Sequence, residues 1–216
     1  ARPASTRRST PQPTTVRDST PDPARPAAQR PATPAAPKPY GQVITAKAKT
    51  DSGVIAVHQL DGKYFFEVPT ALLGRDLLLV TRIAGVAPGM GGFLPAGVSL
   101  NEQVVRWERQ AERVLLRKYS FTAVADDSLP IARSVVANNF APILGAFPIQ
   151  AFGKDSASVV LDVTEFFQGD TPAISGLGAT QRRNYQVRRL DPARSAIVRI
   201  SSYPANVEVR HLQTFD

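Results

Sequence analysis

Asp61-Gly62 stands between two runs of β-forming residues, 54–60 and 63–68, and constrains the fold more than any other feature of the chain. Asp-Gly supplies the two positive φ values of a type I′ turn, so the flanking runs pair as a tight antiparallel hairpin. A two-residue loop fixes the register. Ile55 then faces Val68 and Val57 faces Phe66 on an apolar side, while His58 faces Phe65 and Ala56 faces Glu67 on a more mixed side.

Further elements follow in the same style. Pro69 ends the second strand, and Thr70 is expected to cap a short turn that stops at Gly74. The aliphatic run 77–83 predicts a buried strand, and 104–108 with 113–124 predict a second antiparallel pair around Gln110-Ala111-Glu112. Asp127 or Ser128 can cap a helix over 129–139, with Leu129, Ala132, Val136 and Phe140 along one face. A strand over 158–164 carries Val159, Leu161 and Val163 on one side, and Thr164 then caps a single turn ending at Gly169. Asp191-Pro192 predicts a helix over 193–200, and 207–215 a last strand. Strands close in sequence, without helical crossovers, predict a mainly β (β-rich α+β) fold. The expected form is an antiparallel meander in a curved sheet or sandwich with one or two short helices.

Ten of the 19 prolines fall in residues 1–39, where Val16 is the only large aliphatic and no aromatic occurs. Such a segment has too little to bury to offset the entropy of ordering, and Pro blocks both helix and central strand. Residues 1–39 are therefore expected to be a disordered tail, and residues 40–216 a single β-rich domain. The chain carries a net charge of +8; seven basic and two acidic residues put +5 of it in the tail. Residues 85–97 hold five Gly and two Pro and predict a long loop. No apolar run approaches the roughly 20 residues of a membrane helix. The chain begins without Met and stops inside an expected strand, as a fragment of a longer polypeptide would.

Side chains that carry chemistry are few. There is no Cys, which removes disulfides, a thiol nucleophile and Cys-ligated metal sites. His58 and His211 are the only histidines, each within an expected strand, and neither has the spacing that sets two imidazoles on one helical face. Both are expected to be partly buried polar residues. Asp126-Asp127 suits a helix start, and Asp155, Asp162, Glu165 and Asp170 surround one strand and turn without forming an evident dyad. No Ser lies in a Gly-x-Ser-x-Gly elbow, and Gly89-Met90-Gly91-Gly92 lacks the Lys-Ser/Thr of a phosphate cradle. Arg182, Arg183, Arg188, Arg189 and Arg194 form a basic cluster with one aromatic, Tyr185, among them. Nucleic-acid binding uses several stacking platforms, so a solvated face paired with local acids is the expectation. No catalytic, cofactor-binding or metal-ligating residue is assigned.

Several strings in a shared order add a resemblance. They are Lys38-Pro39-Tyr40 with Val43-Ile44-Thr45, then Lys63-Tyr64-Phe65-Phe66-Glu67-Val68-Pro69 and Leu72-Leu73-Gly74-Arg75. Next come Asn101-Glu102-Gln103-Val104-Val105-Arg106 and Ala125-Asp126-Asp127-Ser128. Last are Ala151-Phe152-Gly153-Lys154-Asp155, Asp162-Val163-Thr164-Glu165-Phe166-Phe167 and Pro204-Ala205-Asn206-Val207-Glu208-Val209. From about Lys38 onward the chain resembles the N-terminal, non-catalytic region of large bacterial zinc-dependent metalloproteases. That region consists of domains of unknown function ahead of a thermolysin-like catalytic part.

The family's His-Glu-x-x-His, which holds zinc and activates water, has no counterpart in this chain, so no site residue carries over. The resemblance implies a scaffold domain of a secreted, periplasmic or outer-envelope metallopeptidase. Zinc is expected in the parent's catalytic part and no cofactor in this chain. The expected partners are that catalytic domain and, indirectly, a peptide or protein substrate, with no specific nucleic acid and no transmembrane segment. The 85–97 loop is the candidate contact near the substrate cleft. An alternative from another class is a stand-alone cell-envelope binding module for a glycan or protein.

Overall fold

The structure, a computed structural model, describes residues 36–88 and 95–216. Residues 1–35 of the disordered tail expected over 1–39, and the glycine-rich centre of the 85–97 loop with Gly89-Met90-Gly91-Gly92, lie outside the described residues.

The Asp61-Gly62 hairpin forms as its residues dictate. β2 (Ala56–Leu60) and β3 (Lys63–Pro69) pair with Val57 opposite Phe66 and His58 opposite Phe65. Asp61 and Gly62 take φ of 48° and 77°. Seen from this hairpin, β1 (Lys49–Asp51) adds to β2, and β8 (Ser158–Asp162) adds to β3. The remaining strands are β4 (Leu77–Arg82), β5 (Ser99–Gln110), β6 (Arg113–Tyr119) and β7 (Ile143–Phe152). They complete an antiparallel eight-stranded sheet in the order β1-β2-β3-β8-β7-β6-β5-β4. Two meanders are thus joined along the β3–β8 ladder.

The sheet has to curl. β3 and β4 are separated by β8, β7, β6 and β5, which in a flat sheet would be about 24 Å of strand spacing. Only residues 70–76 connect them, and the first of these, Thr70–Leu72, are wound into a 3-10 turn that rises about 2 Å per residue. Bending is concentrated in β7. Its first part pairs with β6 as far as Pro148, its second part pairs with β8 from Ile149, and the β8 ladder is irregular between Ile149 and Ala151. Pro148 has no N–H to lose at that corner.

Curling brings the inner faces of both meanders into one core containing Val57, Phe66, Val105, Trp107, Leu116 and Leu161. Aromatic rings run through it in series, from Phe66 to Phe167 (centroids 5.7 Å), Phe166 (5.1 Å), Phe147 (5.4 Å) and Trp107 (5.2 Å). Phe166 and Phe167 come from the short helix α3 (Thr164–Gln168), the single turn expected before Gly169, although the Thr164 side chain does not cap it. Two residues in sequence can both be buried there because the helix plugs the curled sheet. An antiparallel ribbon of β9 (Ala196–Ser202) and β10 (Val207–Leu212) brings Ile200, Val207 and Val209 to the same core.

Four local expectations give way. The helix over 193–200 is a strand: Asp191 does cap a turn, accepting from the N–H groups of Ala193 and Arg194, but the turn ends at Arg194. Ile197, Val198 and Ile200 then continue extended, as β-branched side chains favour. The buried strand over 77–83 is β4, a sheet edge whose Leu78 is 67% exposed. The helix over 129–139 shrinks to α2 (Ala132–Asn138), and of its apolar face only Ala132 is buried. Asp126 binds the N–H and hydroxyl of Ser128 in a local turn before it. Thr70, expected as a cap, instead donates its hydroxyl to the Ala157 carbonyl.

Candidate functional site

The mixed side of the hairpin is the outer face of the sheet, and there a polar cluster is built. Register puts Thr50 of β1 beside His58 of β2, and Val160 of β8 beside Glu67 of β3, with Ser158 two residues along on the same face. The segment before β1 then folds over this surface. Lys38 donates its backbone N–H to the Gln150 carbonyl at 2.8 Å, so ordered contact begins ahead of Tyr40. The short helix α1 (Tyr40–Val43) follows, and Ile44 packs with Phe65, Ala151 and Val160.

Glu67 is the hub. Its Oε2 accepts from Tyr40 Oη at 2.8 Å and from His58 Nε2 at 2.9 Å, and its Oε1 accepts from Ser158 Oγ at 2.5 Å. Because the carboxylate only accepts, His58 carries its proton on Nε2. Nδ1 meets Thr50 Oγ1 at 2.8 Å. A hydroxyl can donate to the neutral ring or accept from the charged one, so Thr50 satisfies either state. The imidazole is 3% exposed, and Thr50 is the member of the chain on the solvent side. Gly153 completes the cradle, since a Cβ there would overlap Ser158 Oγ and lie 2.6 Å from Glu67 Oε1.

Burial alone would raise the Glu67 pKa, but hydrogen bonds from Ser158, Tyr40 and His58 outweigh it and hold the carboxyl below its ordinary range. Tyr40 moves the other way. Burial first, then its bond to anionic Glu67, pushes its hydroxyl up to about 12. Hydroxyl, imidazole and carboxylate stand here in the order used for acyl transfer. Yet α1 covers the ring and the carboxylate, and every oxygen of Glu67 is engaged. The arrangement works as a lock that fastens residues 38–44 to β2, β3 and β8.

Among the residues weighed earlier for catalytic or metal chemistry, only His58 takes part in this lock. His211 on β10 is half-buried, with its Nδ1 unpartnered among the described residues. Burial lowers its pKa, against a backbone hydrogen bond with Phe167. The acids around β8 are not brought together: Asp162 pairs with Lys63, and Asp170 with Arg182 through two bonds of 2.9 and 2.5 Å. Of the basic cluster, Arg194 also pairs with Asp191 and Asp216, and Arg189 with Asp216, while Arg183 and Arg188 are in no ion pair among the described residues.

Among the described residues no group of three His, Asp or Glu could hold a metal ion, and no helix is long and apolar enough to cross a membrane. Tyr40, Thr50, Ser158 and Gly153 were missed by sequence reasoning. The one available signal was that His58 and Glu67 share the mixed side of a hairpin.

Residues 37–86 match the domain of unknown function DUF5118, and residues 97–216 match the domain of unknown function DUF5117. No curated protein and no solved structure matches the chain. The boundary between the two matches falls in the loop between β4 and β5, which pair with each other, while β3 pairs with β8. The two stretches therefore share one sheet and one core. With more than half its length covered by the second match, the chain belongs to the DUF5117 family.

Proposed function

We propose that the chain is a non-catalytic scaffold module of a secreted or cell-envelope zinc-dependent metallopeptidase, seated against that enzyme's catalytic part. The ordered string of motifs shared with the N-terminal region of such enzymes suggests the parent. On this reading the zinc belongs to the catalytic part, and this chain supplies architecture.

One observation carries the reading. The connection from β6 to β7, with the first residue of β7, presents seven large apolar side chains to solvent within residues 121–143. Val136 and Phe140 are 69% and 73% exposed, and Val124 is 77% exposed. Scattered exposed apolar residues are ordinary, but this concentration along one segment marks an interaction surface. Phe140 is held in place by the Arg117 guanidinium, 5.1 Å from its ring centroid, so the apolar face is presented and not collapsed. Burial against a second domain would stabilise the pair by about 25 cal/mol per Å² of apolar surface covered.

The test uses the parent enzyme. Val136→Asp with Phe140→Asp changes exposed side chains, so the module itself should stay folded. Calorimetry is expected to show the module melting separately from the catalytic part in the double variant and together with it in the unaltered enzyme. A single unchanged transition in both would overturn the reading.

A further inference from the structure

The ribbon of β9 and β10 is clamped to the sheet at one end and tied around α3 at the other, where Gln168 donates to the Ser195 carbonyl and Gln213 to the Gly169 carbonyl. At the clamped end Ser202 donates its N–H to Asp51 Oδ2 (3.0 Å) and its hydroxyl to the Ile55 carbonyl (2.6 Å), and Val54 donates to the Tyr203 carbonyl (2.8 Å). Gly53 permits this approach, because a Cβ there would lie 2.5 Å from the Tyr203 carbonyl oxygen. Toward Val198 a cleft of about 220 Å³ opens between β9 and the inner face of β1 and β2. Val57 and Ile200 form its apolar floor, and Lys49, Gln59 and Arg199 its polar sides.

Two features say what fits there. First, among the described residues no strand pairs with the second edge of β9 or with the outer edge of β1. Such an edge offers unpaired N–H and C=O groups to an incoming extended chain. Second, the cations around the cleft outnumber the acids. Arg199 lies directly across the ribbon from Arg210, a like-charge pairing that disfavours the strand pair. Lys47 and Lys49 line an adjoining hollow. Among the described residues none of these four is in an ion pair. Asp51 itself lines the cleft, with its Oδ2 held by the Ser202 N–H, Asp61 lines the adjoining hollow, and Glu208 lies opposite Ser201, so these four cations outnumber the three acids.

We propose that this cleft binds an extended peptide segment bearing acidic side chains, laid along the free edge of β9. Its carboxylates meet Lys49, Arg199 and Arg210, and its apolar side chains rest on Val57 and Ile200. The volume suits one or two side chains of a strand and falls short of the roughly 300 Å³ at which pockets for whole small molecules begin. The inference is independent of whether residues 121–143 dock a catalytic part.

The probe is a fluorescein-labelled octapeptide alternating Glu and Val, titrated by anisotropy into the full chain, basic tail included, at physiological salt. Saturable binding is expected, with chemical-shift changes centred on Lys49 and Arg199. Lys49→Glu with Arg199→Glu should weaken it by about tenfold or more, as loss of complementary charge does. Both side chains are exposed, so circular dichroism should show the double variant folded. The same octapeptide methylated on alternate backbone nitrogens should also bind weakly, because strand addition needs its N–H groups. Absence of saturable binding overturns the proposal. So does equal binding by the double variant or by the methylated peptide, either of which would trace the attraction to unspecific charge.

Discussion

Replacing Glu67 with alanine should lower the folding stability by about 2–4 kcal/mol, somewhat below the scale for one partner of a fully buried charged pair, because the carboxylate is 19% exposed. Its removal leaves three donors without an acceptor: His58 Nε2, Tyr40 Oη and Ser158 Oγ. Each such orphan costs about 1–3 kcal/mol. Glu67→Gln keeps one acceptor oxygen and should fall between the variant and the native chain. Chemical denaturation measures the loss, and limited proteolysis should show residues 38–44 released first.

The pH dependence has a definite sign. Glu67 titrates below its ordinary range when folded, so its stabilisation is full above the unfolded carboxyl pKa and vanishes as pH falls through the lowered folded value. Tyr40 is raised from 10 to about 12, so its share is full below pH 10 and is lost as pH rises toward 12. In Glu67→Ala the acid-side loss should be absent. An unchanged denaturation midpoint in that variant would show that the lock does not hold the N-terminal segment.

Phe147→Ala should be comparably severe. Its ring joins Trp107 to Phe166 in the series that spans the curled sheet, and it is 4% exposed. Truncating a buried Phe costs about 3–5 kcal/mol, through lost burial and through the cavity left behind. At about 2–4 °C per kcal/mol for a domain of this size, the melting temperature should fall by about 10 °C. Leu78→Ala offers the contrast. Leu78 is as apolar but lies two-thirds exposed on the edge strand, so its truncation should change stability by no more than about 0.5 kcal/mol. Equal shifts for the two variants would mean that the core is not where the structure puts it.

What could be read from the sequence was what local chemistry decides. Asp61-Gly62 set a hairpin register that β2 and β3 keep. Asp191-Pro192 was a sound start signal, but such a signal says nothing about how far a helix runs, and the β-branched residues after Arg194 took the extended form. The aliphatic run beginning at Leu77 could not by itself distinguish a strand covered on both faces from an edge strand with one face in water. Nor does periodicity say what an apolar face meets, and α2 turned its face outward.

The lock was beyond sequence reach for a different reason. Ser158 and Glu67 are 91 residues apart, and Tyr40 and Glu67 are 27 apart. Only the joining of two meanders along β3 and β8 makes them neighbours.

That joint also bears on how such a chain can be inherited and produced. Neither stretch owns a complete interior: translated alone, the first would leave β3 without β8 and aliphatic β4 without β5, and the second would lack the walls that close around its phenylalanines. A nascent chain must therefore leave the outer edge of β3 unpaired until the ribosome has released residues past β8, and recombination at the intervening loop would leave two halves that each need the other as a chaperone.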